Sequence, residues 1–203
     1  MKVTAPAKAE RRADPQGNER LTAMTGAVLL VLFTAECLTS LSLGHLMTLH
    51  IFLGMLLLAP VGLKVGSTLW RFIRYYTGSA PYVRRGPPAR LQRILGPVLV
   101  LTSLAVLASG VMLAIVGPVN TWELAHQDSF YLWLIVVIIH VVAYAPKLPR
   151  ILASRPQGRA SHLLAASRTR WLLLGGSLVA GLIVALLTYH LSAKWGFWGG
   201  NVI

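Results

Sequence analysis

Two hydrophobic stretches of this chain carry ionisable residues at one common spacing. The first holds His50 and Lys64 and the second His126 and His140, each pair fourteen residues apart. On an α-helix fourteen residues turn through ~1400°, about 40° short of four full turns, and climb ~21 Å. Each pair therefore shares one face of its helix, with one member toward each side of a bilayer. Two such helices can clamp haem groups stacked across a membrane through axial imidazoles. Here three of the four positions are histidines, and Lys64 stands where a fourth ligand would be.

The surroundings of these residues separate them. His140 lies in LWLIVVIIHVVAY and His50 in LMTLHIFLG, where an ionisable group is costly and marks a functional site by default. His45 and His126 fall near the expected interfaces, where a polar histidine needs less explanation; His45 is a possible additional ligand. His190 reads as an interfacial residue and His162 as a solvated one in a basic loop. Counting depth from the charged ends leaves two pairings open. If the helix carrying His126 starts near Trp122, His50 meets His126 and Lys64 meets His140; if the helix carrying His50 starts earlier, His50 meets His140. The first is preferred because it gives both spacings a meaning.

The elements that must position these residues are membrane spans. The chain has 203 residues, 55% hydrophobic and 12% charged, about half the charge of an ordinary soluble domain. A span needs about 20 apolar residues, and five segments qualify: roughly 21–41, 46–66, 94–117, 129–146 and 171–191. The expected fold is an all-α bundle of five transmembrane helices over 21–191, with a disordered tail over 1–20 and a short external aromatic tail over 192–203. Pro60 lies inside the second helix, which extends toward Tyr76 if Lys64, Arg71 and Arg74 snorkel.

The net charge of +13 is unevenly placed. Stretches 64–93 and 147–170 carry Lys and Arg with no acid, whereas 40–46 is uncharged and 118–128 carries Glu123 and Asp128. This alternation follows the positive-inside rule, with a cytoplasmic N-terminus and an external C-terminus. Anionic lipid headgroups are the expected partners of the basic loops, and no nucleic-acid partner is expected. The single cysteine, Cys37, excludes an internal disulfide and any cysteine-held cluster.

Other residues complete the candidate site. Gly54 stands one turn after His50 and would let a flat cofactor, or another helix, approach closely. Gly96 and Gly110 are also fourteen apart and could face both haem levels, whereas Gly176 and Gly181 read as helix packing. Lys64 reads first as snorkelling to the cytoplasmic headgroups, with a propionate partner or an unusual ligand as alternatives. Arg71, Arg74, Tyr75 and Tyr76 form an interfacial polar cluster. Glu36 is the one acid inside a span and could snorkel or take part in proton release during quinol oxidation. Trp195, Phe197 and Trp198 read as an aromatic anchor at the interface.

Three stretches carry a family resemblance: SLGHLMTLHIFLG from Ser42 to Gly54, WRFIRYYTGSAPYVRRGPP with the helix ending in SGVML, and ELAHQDSFYLWLIVVIIHVVAYAPKLPR. Over about residues 25–150 the chain resembles the bacterial cytochrome b561-type membrane family, near the haem-bearing domains that accompany periplasmic molybdopterin oxidoreductases. The resemblance implies haem b held by histidines of the second and fourth helices, with His50 matching the former and His126 and His140 the latter. It implies electron traffic between quinone and a periplasmic oxidoreductase, in the bacterial plasma membrane. Two departures matter: Lys64 replaces a second-helix histidine, and Tyr144 occupies a position where family-like segments often have another. They leave one haem b site complete and put the second in question.

The leading expectation is thus a multi-pass membrane electron carrier with haem iron on His50 and either His126 or His140. The competing one is a haem-free membrane anchor or assembly subunit of a redox complex. A transporter ranks behind both, because inverted repeats are lacking. A homodimer is compatible with five helices around a haem.

Overall fold

The computed structural model describes residues 15–84, 86–87, 90–146, 148–153 and 160–196. They form seven α-helices: α1 (Pro15–Ser40), α2 (Leu43–Tyr76), α3 (Ala80–Arg84), α4 (Arg90–Val116), α5 (Asn120–Tyr144), α6 (Leu148–Ala153) and α7 (Ala160–Thr188), followed by a 3-10 segment, Tyr189–Trp195. Among the described residues there is no strand. Five helices, α1, α2, α4, α5 and the α7 region over Ser167–Trp195, are long and apolar enough to cross a membrane. Large apolar side chains such as Val31, Leu101, Ile135, Val142 and Leu187 point outward, as expected where lipid rather than water is the surrounding solvent.

Glycine and proline set the boundaries. Gly78 (φ 75°) and Gly117 (φ 86°) sit just past the ends of α2 and α4, in the left-handed conformation that closes a helix without a Cβ penalty. Pro118 prevents continuation, so α5 starts at Asn120. The sequence reading placed this helix at 129–146; apolarity alone misses its first turns, which hold Glu123, His126 and Asp128. The tail expected to be disordered over 1–20 is helical from Pro15. There Asn18 Nδ2 donates to the Ser67 carbonyl at 2.9 Å and Thr22 Oγ1 meets Ser67 Oγ at 2.9 Å, so tertiary hydrogen bonds hold a polar segment that propensity would release. Residues 1–14 lie outside the described ones. Short helices α3 and α6 lie in the connections after α2 and α5.

The turn Leu41–Ser42 makes α1 and α2 an antiparallel pair. Helix α2 packs along α1 and α7, and α5 along α4, while α2 and α5 make no extended close approach. Positions seven apart, two turns or ~10.5 Å, stack the interior into three layers. Glu36, His50, Gly110 and His126 occupy the layer nearer the α1–α2 turn. Leu29, Leu57, Ser103 and Trp133 form the middle one, and Thr22, Lys64 and His140 the layer nearer the basic loops. The middle layer is tightly closed: Leu29, Leu57 and Trp133 are buried, Trp133 Nε1 donates to Ser103 Oγ at 3.0 Å, and Phe33 meets the Trp133 ring at 4.6 Å.

Two interior glycines differ in what they accommodate. A Cβ on Gly181 would fall on the Leu56 carbonyl oxygen and reach Pro60 Cδ at 3.3 Å, whereas one on Gly26 would meet only the Lys64 ammonium at 2.8 Å. Gly176 faces open space, so of the two α7 glycines singled out in the sequence only Gly181 serves packing. Gly181→Ala should therefore destabilise the bundle by about 1–3 kcal/mol, since backbone cannot yield as a side-chain tip does. Gly26→Ala should change stability by less than about 1 kcal/mol, its gain in helix propensity offsetting a shift of Lys64. Reversible unfolding in detergent micelles measures both, and equal losses would contradict this account of the α2–α7 contact.

Candidate functional site

The space between α2 and α5 is a cavity of about 450 Å³, walled by α1, α2, α4, α5 and Trp195. That volume is in the range of small-molecule and cofactor pockets. Its lining is mostly apolar, with His50, His126 and Glu36 as ionisable groups well inside it and Glu123 also on its wall.

His50 comes from the third turn of α2 and faces the last turns of α1. Its Nδ1 lies 2.9 Å from Thr39 Oγ1 and 3.2 Å from Glu36 Oε1. The Thr39 hydroxyl has one proton, which it donates to the Glu36 carbonyl at 2.6 Å. With that proton committed there, the Thr39 oxygen is free to accept from His50, the arrangement that takes the imidazole proton on Nδ1. His126 is held in the same way from the other side. Its Nδ1 is 3.1 Å from both the Val106 carbonyl and Ser109 Oγ. Ser109 donates its own proton to the Ala105 carbonyl at 2.8 Å, so both oxygens accept and His126 is likewise protonated on Nδ1. Neither Nε2 has a hydrogen-bond partner from these groups, and each carries a free lone pair.

The two rings face each other with centroids 6.3 Å apart and planes at 78°. Of the pairings open from the sequence, the structure brings together His50 and His126. His140 stands two layers' spacing away on α5, stacked on Tyr144 at 5.9 Å and within electrostatic range of Lys64. His45 and His190 are exposed, and the side chain of His162 lies outside the described residues.

The Lys64 side chain turns inward rather than snorkelling outward: its Nζ donates to the Thr22 carbonyl at 2.6 Å, across the α1–α2 interface under Gly26. The early α1 residues Asn18 and Thr22 make that side of the α1–α2 interface polar. Gly54 lines the cavity, but the atom its missing Cβ leaves room for is Glu36 Oε1, at 3.3 Å. Gly110 makes room for a ligand candidate itself, since a Cβ there would lie 2.9 Å from His126 Cε1. Gly96 has nothing within 4 Å of its absent Cβ.

Sequence reasoning missed Thr39, Ser109 and the Val106 carbonyl. Ser109 is adjacent to Gly110, which was noticed, but only the α4–α5 packing reveals that both serve one imidazole. Trp195 was read as an interfacial anchor and is instead buried, at 8% exposure, in a core with Ile51, Met55, Leu113, Ala114 and Ala185. The 3-10 segment turns it inward, and Lys194 Nζ secures that turn by donating to the Ile115 carbonyl at the end of α4. Phe197 and Trp198 lie outside the described residues.

Because two hydrogen bonds hold the His126 ring, it cannot swing away freely from a new methyl group. Gly110→Ala should cost about 1–3 kcal/mol of stability. The cost should vanish in a His126→Ala background, a double-mutant cycle readable by unfolding in micelles. A penalty that survives the removal of His126 would place the clash elsewhere.

Among the described residues no group of three or more His, Cys, Asp or Glu side chains is placed to hold a bare metal ion. Comparison with protein-family models, with curated proteins and with solved structures finds no match to this chain.

Proposed function

We propose that this protein is a membrane b-type cytochrome that carries electrons between the quinone pool and an external redox partner. The observation that carries the reading is the pair of opposed imidazoles, His50 and His126, each with Nδ1 engaged and Nε2 free, on either side of an apolar cavity. Two imidazoles could serve one metal when their ring centres are about 6 Å apart, and the rings of His50 and His126 stand 6.3 Å apart. Two protein ligands alone suit a metal that brings its other donors with it, as in a porphyrin. Engagement of the second ring nitrogen by a carbonyl, hydroxyl or carboxylate is the usual support for a ligating histidine.

Haem b held by His50 and His126 would supply one-electron chemistry, the chemistry that electron transfer needs. The residues' own contribution is to bind and orient. Thr39 and Glu36 fix the His50 ring, Ser109 and the Val106 carbonyl fix His126, and the closed Leu29–Leu57–Trp133 layer separates this site from the Lys64–His140 layer. The basic loops are read as cytoplasmic, which puts the His50–His126 site in the outer half of a bacterial plasma membrane, nearer an external oxidoreductase. Lys64 is tied to α1, so the Lys64–His140 layer does not repeat the opposed-imidazole arrangement; one haem per chain is the expected stoichiometry.

A dithionite-reduced minus oxidised spectrum with pyridine haemochrome quantification should give one haem b per chain. His50→Ala and His126→Ala should each abolish it, whereas His140→Ala should leave it in place. Full haem content in either of the first two variants would overturn the ligand assignment. A wild-type protein that takes up no haem even when haem is supplemented during expression would point to a haem-free anchor.

A further inference from the structure

The cavity has four helical walls, and the contacts between neighbouring walls show where it opens. Helix α1 packs along α2 and α4 along α5, while α2 meets α4 both directly and through the 3-10 segment that carries Trp195. The fourth seam, between α5 and α1, has no extended backbone contact among the described residues. It is bridged at the middle layer, where Phe33 meets the Trp133 ring at 4.6 Å. Beyond that bridge, toward the α1–α2 turn, α5 contributes Glu123, Gln127 and Tyr131 to the cavity wall, four residues apart along one side of the helix. Gln127 and Tyr131 are exposed as well as cavity-lining, Tyr131 at 62%. A side chain that borders both the cavity and the exterior marks a mouth, so the cavity opens through the α1–α5 seam.

Depth decides what can enter. Ser103 is the midpoint of α4 and Trp133 is next to that of α5, so the middle layer sits at the centre of the spans. Tyr131, Gln127 and Glu123 lie two, six and ten residues from Trp133 toward the outer end, about 3, 9 and 15 Å along the axis. Half the hydrocarbon core is about 15 Å thick. The mouth therefore faces acyl chains, and its occupant comes from the bilayer rather than from water. Chemistry narrows the class. Among the described residues neither the Gln127 amide nor the Tyr131 hydroxyl has a hydrogen-bond partner, and polar groups facing hydrocarbon are costly without one. The cavity wall carries the carboxyls of Glu36 and Glu123 and no lysine or arginine, so no cation is there to meet a phosphate or carboxylate head. What fits is a neutral, lipid-soluble molecule whose apolar ring carries hydrogen-bonding oxygens.

Resting on the electron-carrier reading above, we propose that the α1–α5 seam is the quinone-binding site of this protein, with the Gln127 amide and the Tyr131 hydroxyl hydrogen-bonding the oxygens of the quinone head. The head enters sideways from the outer half of the bilayer and its tail stays among the lipids. Gln127 is the chain neighbour of His126, so the site lies at the level of the paired imidazoles and not beside the basic loops.

The test is photolabelling of the full-length protein in phospholipid nanodiscs, mapped by peptide mass spectrometry. The probes are an azido-benzoquinone and an azido-naphthoquinone, each with a short isoprenoid tail. At least one should label the seam, within 33–40 and 123–131, and the azide-free parent quinone should displace it. Gln127→Leu and Tyr131→Phe should each raise the probe concentration for half-maximal labelling about three- to tenfold, the loss of one hydrogen bond. Label confined to the Lys64–His140 layer, label that the parent quinone does not displace, or half-saturation unchanged in both variants would overturn the assignment. Wild-type mapping carries the test even where a variant misfolds. Labelling also needs no haem: a wild type that takes up none would remove the electron-carrier reading, and the seam would still be read in the same protein.

Discussion

An imidazole N–H inside an apolar bundle must have an acceptor, and the arrangement of this protein follows from how two of them are supplied. His50 turns its Nδ1 to Thr39 and Glu36 of α1, and His126 turns its own to the Val106 carbonyl and Ser109 of α4. Each histidine is thus tied to the helix beside its own. The opposite nitrogens are left without a hydrogen bond, and the two rings confront each other 6.3 Å apart. Unsatisfied polar groups are most expensive in a low-dielectric interior, so these hydrogen bonds hold ring orientation as well as stability.

The helix contacts are consistent with that constraint. The close pairs are α1 with α2, α2 with α7 and α4 with α5, so the protein resembles two packed groups of helices with the cavity between α2 and α5. Glycines allow the close approaches on either side of it: Gly54 admits the Glu36 carboxyl, Gly110 admits the His126 ring, and Gly181 admits the α2 backbone. Trp195 closes one wall. Below the cavity the middle layer of Leu29, Leu57, Phe33 and Trp133 is filled by side chains, and Leu57, Phe33 and Trp133 form the floor of that cavity. The Lys64–His140 layer is organised differently, with Lys64 drawn onto the Thr22 carbonyl and His140 stacked on its own helix neighbour, Tyr144.

Much of this was legible in advance because it depends on local rules. Long apolar runs mark the spans irrespective of how they pack, and fourteen-residue spacing puts His50 with Lys64, and His126 with His140, on single faces by helix geometry alone. The errors came where a local rule met a tertiary contact. The segment from Pro15 is polar, yet Asn18 and Thr22 find partners on α2. Helix α5 starts at Asn120 because Gly117 and Pro118 end α4, not where apolarity begins. Lys64 was assigned to the headgroups by its length and charge, but a backbone carbonyl lies within its reach.

The sequence by itself determined that the chain is helical, with five segments long and apolar enough for a membrane, and which few ionisable residues lie inside them. Those properties are set by composition and by the 3.6-residue period, both of which act within one helix. Tertiary structure alone decided that His50 faces His126, which oxygens hold each Nδ1, and that Trp195 borders the cavity rather than the interface. Each of those depends on the axial offset and rotation of one helix against another, and a shift of a single turn, about 5.4 Å, would change the partners without altering the hydrophobic pattern.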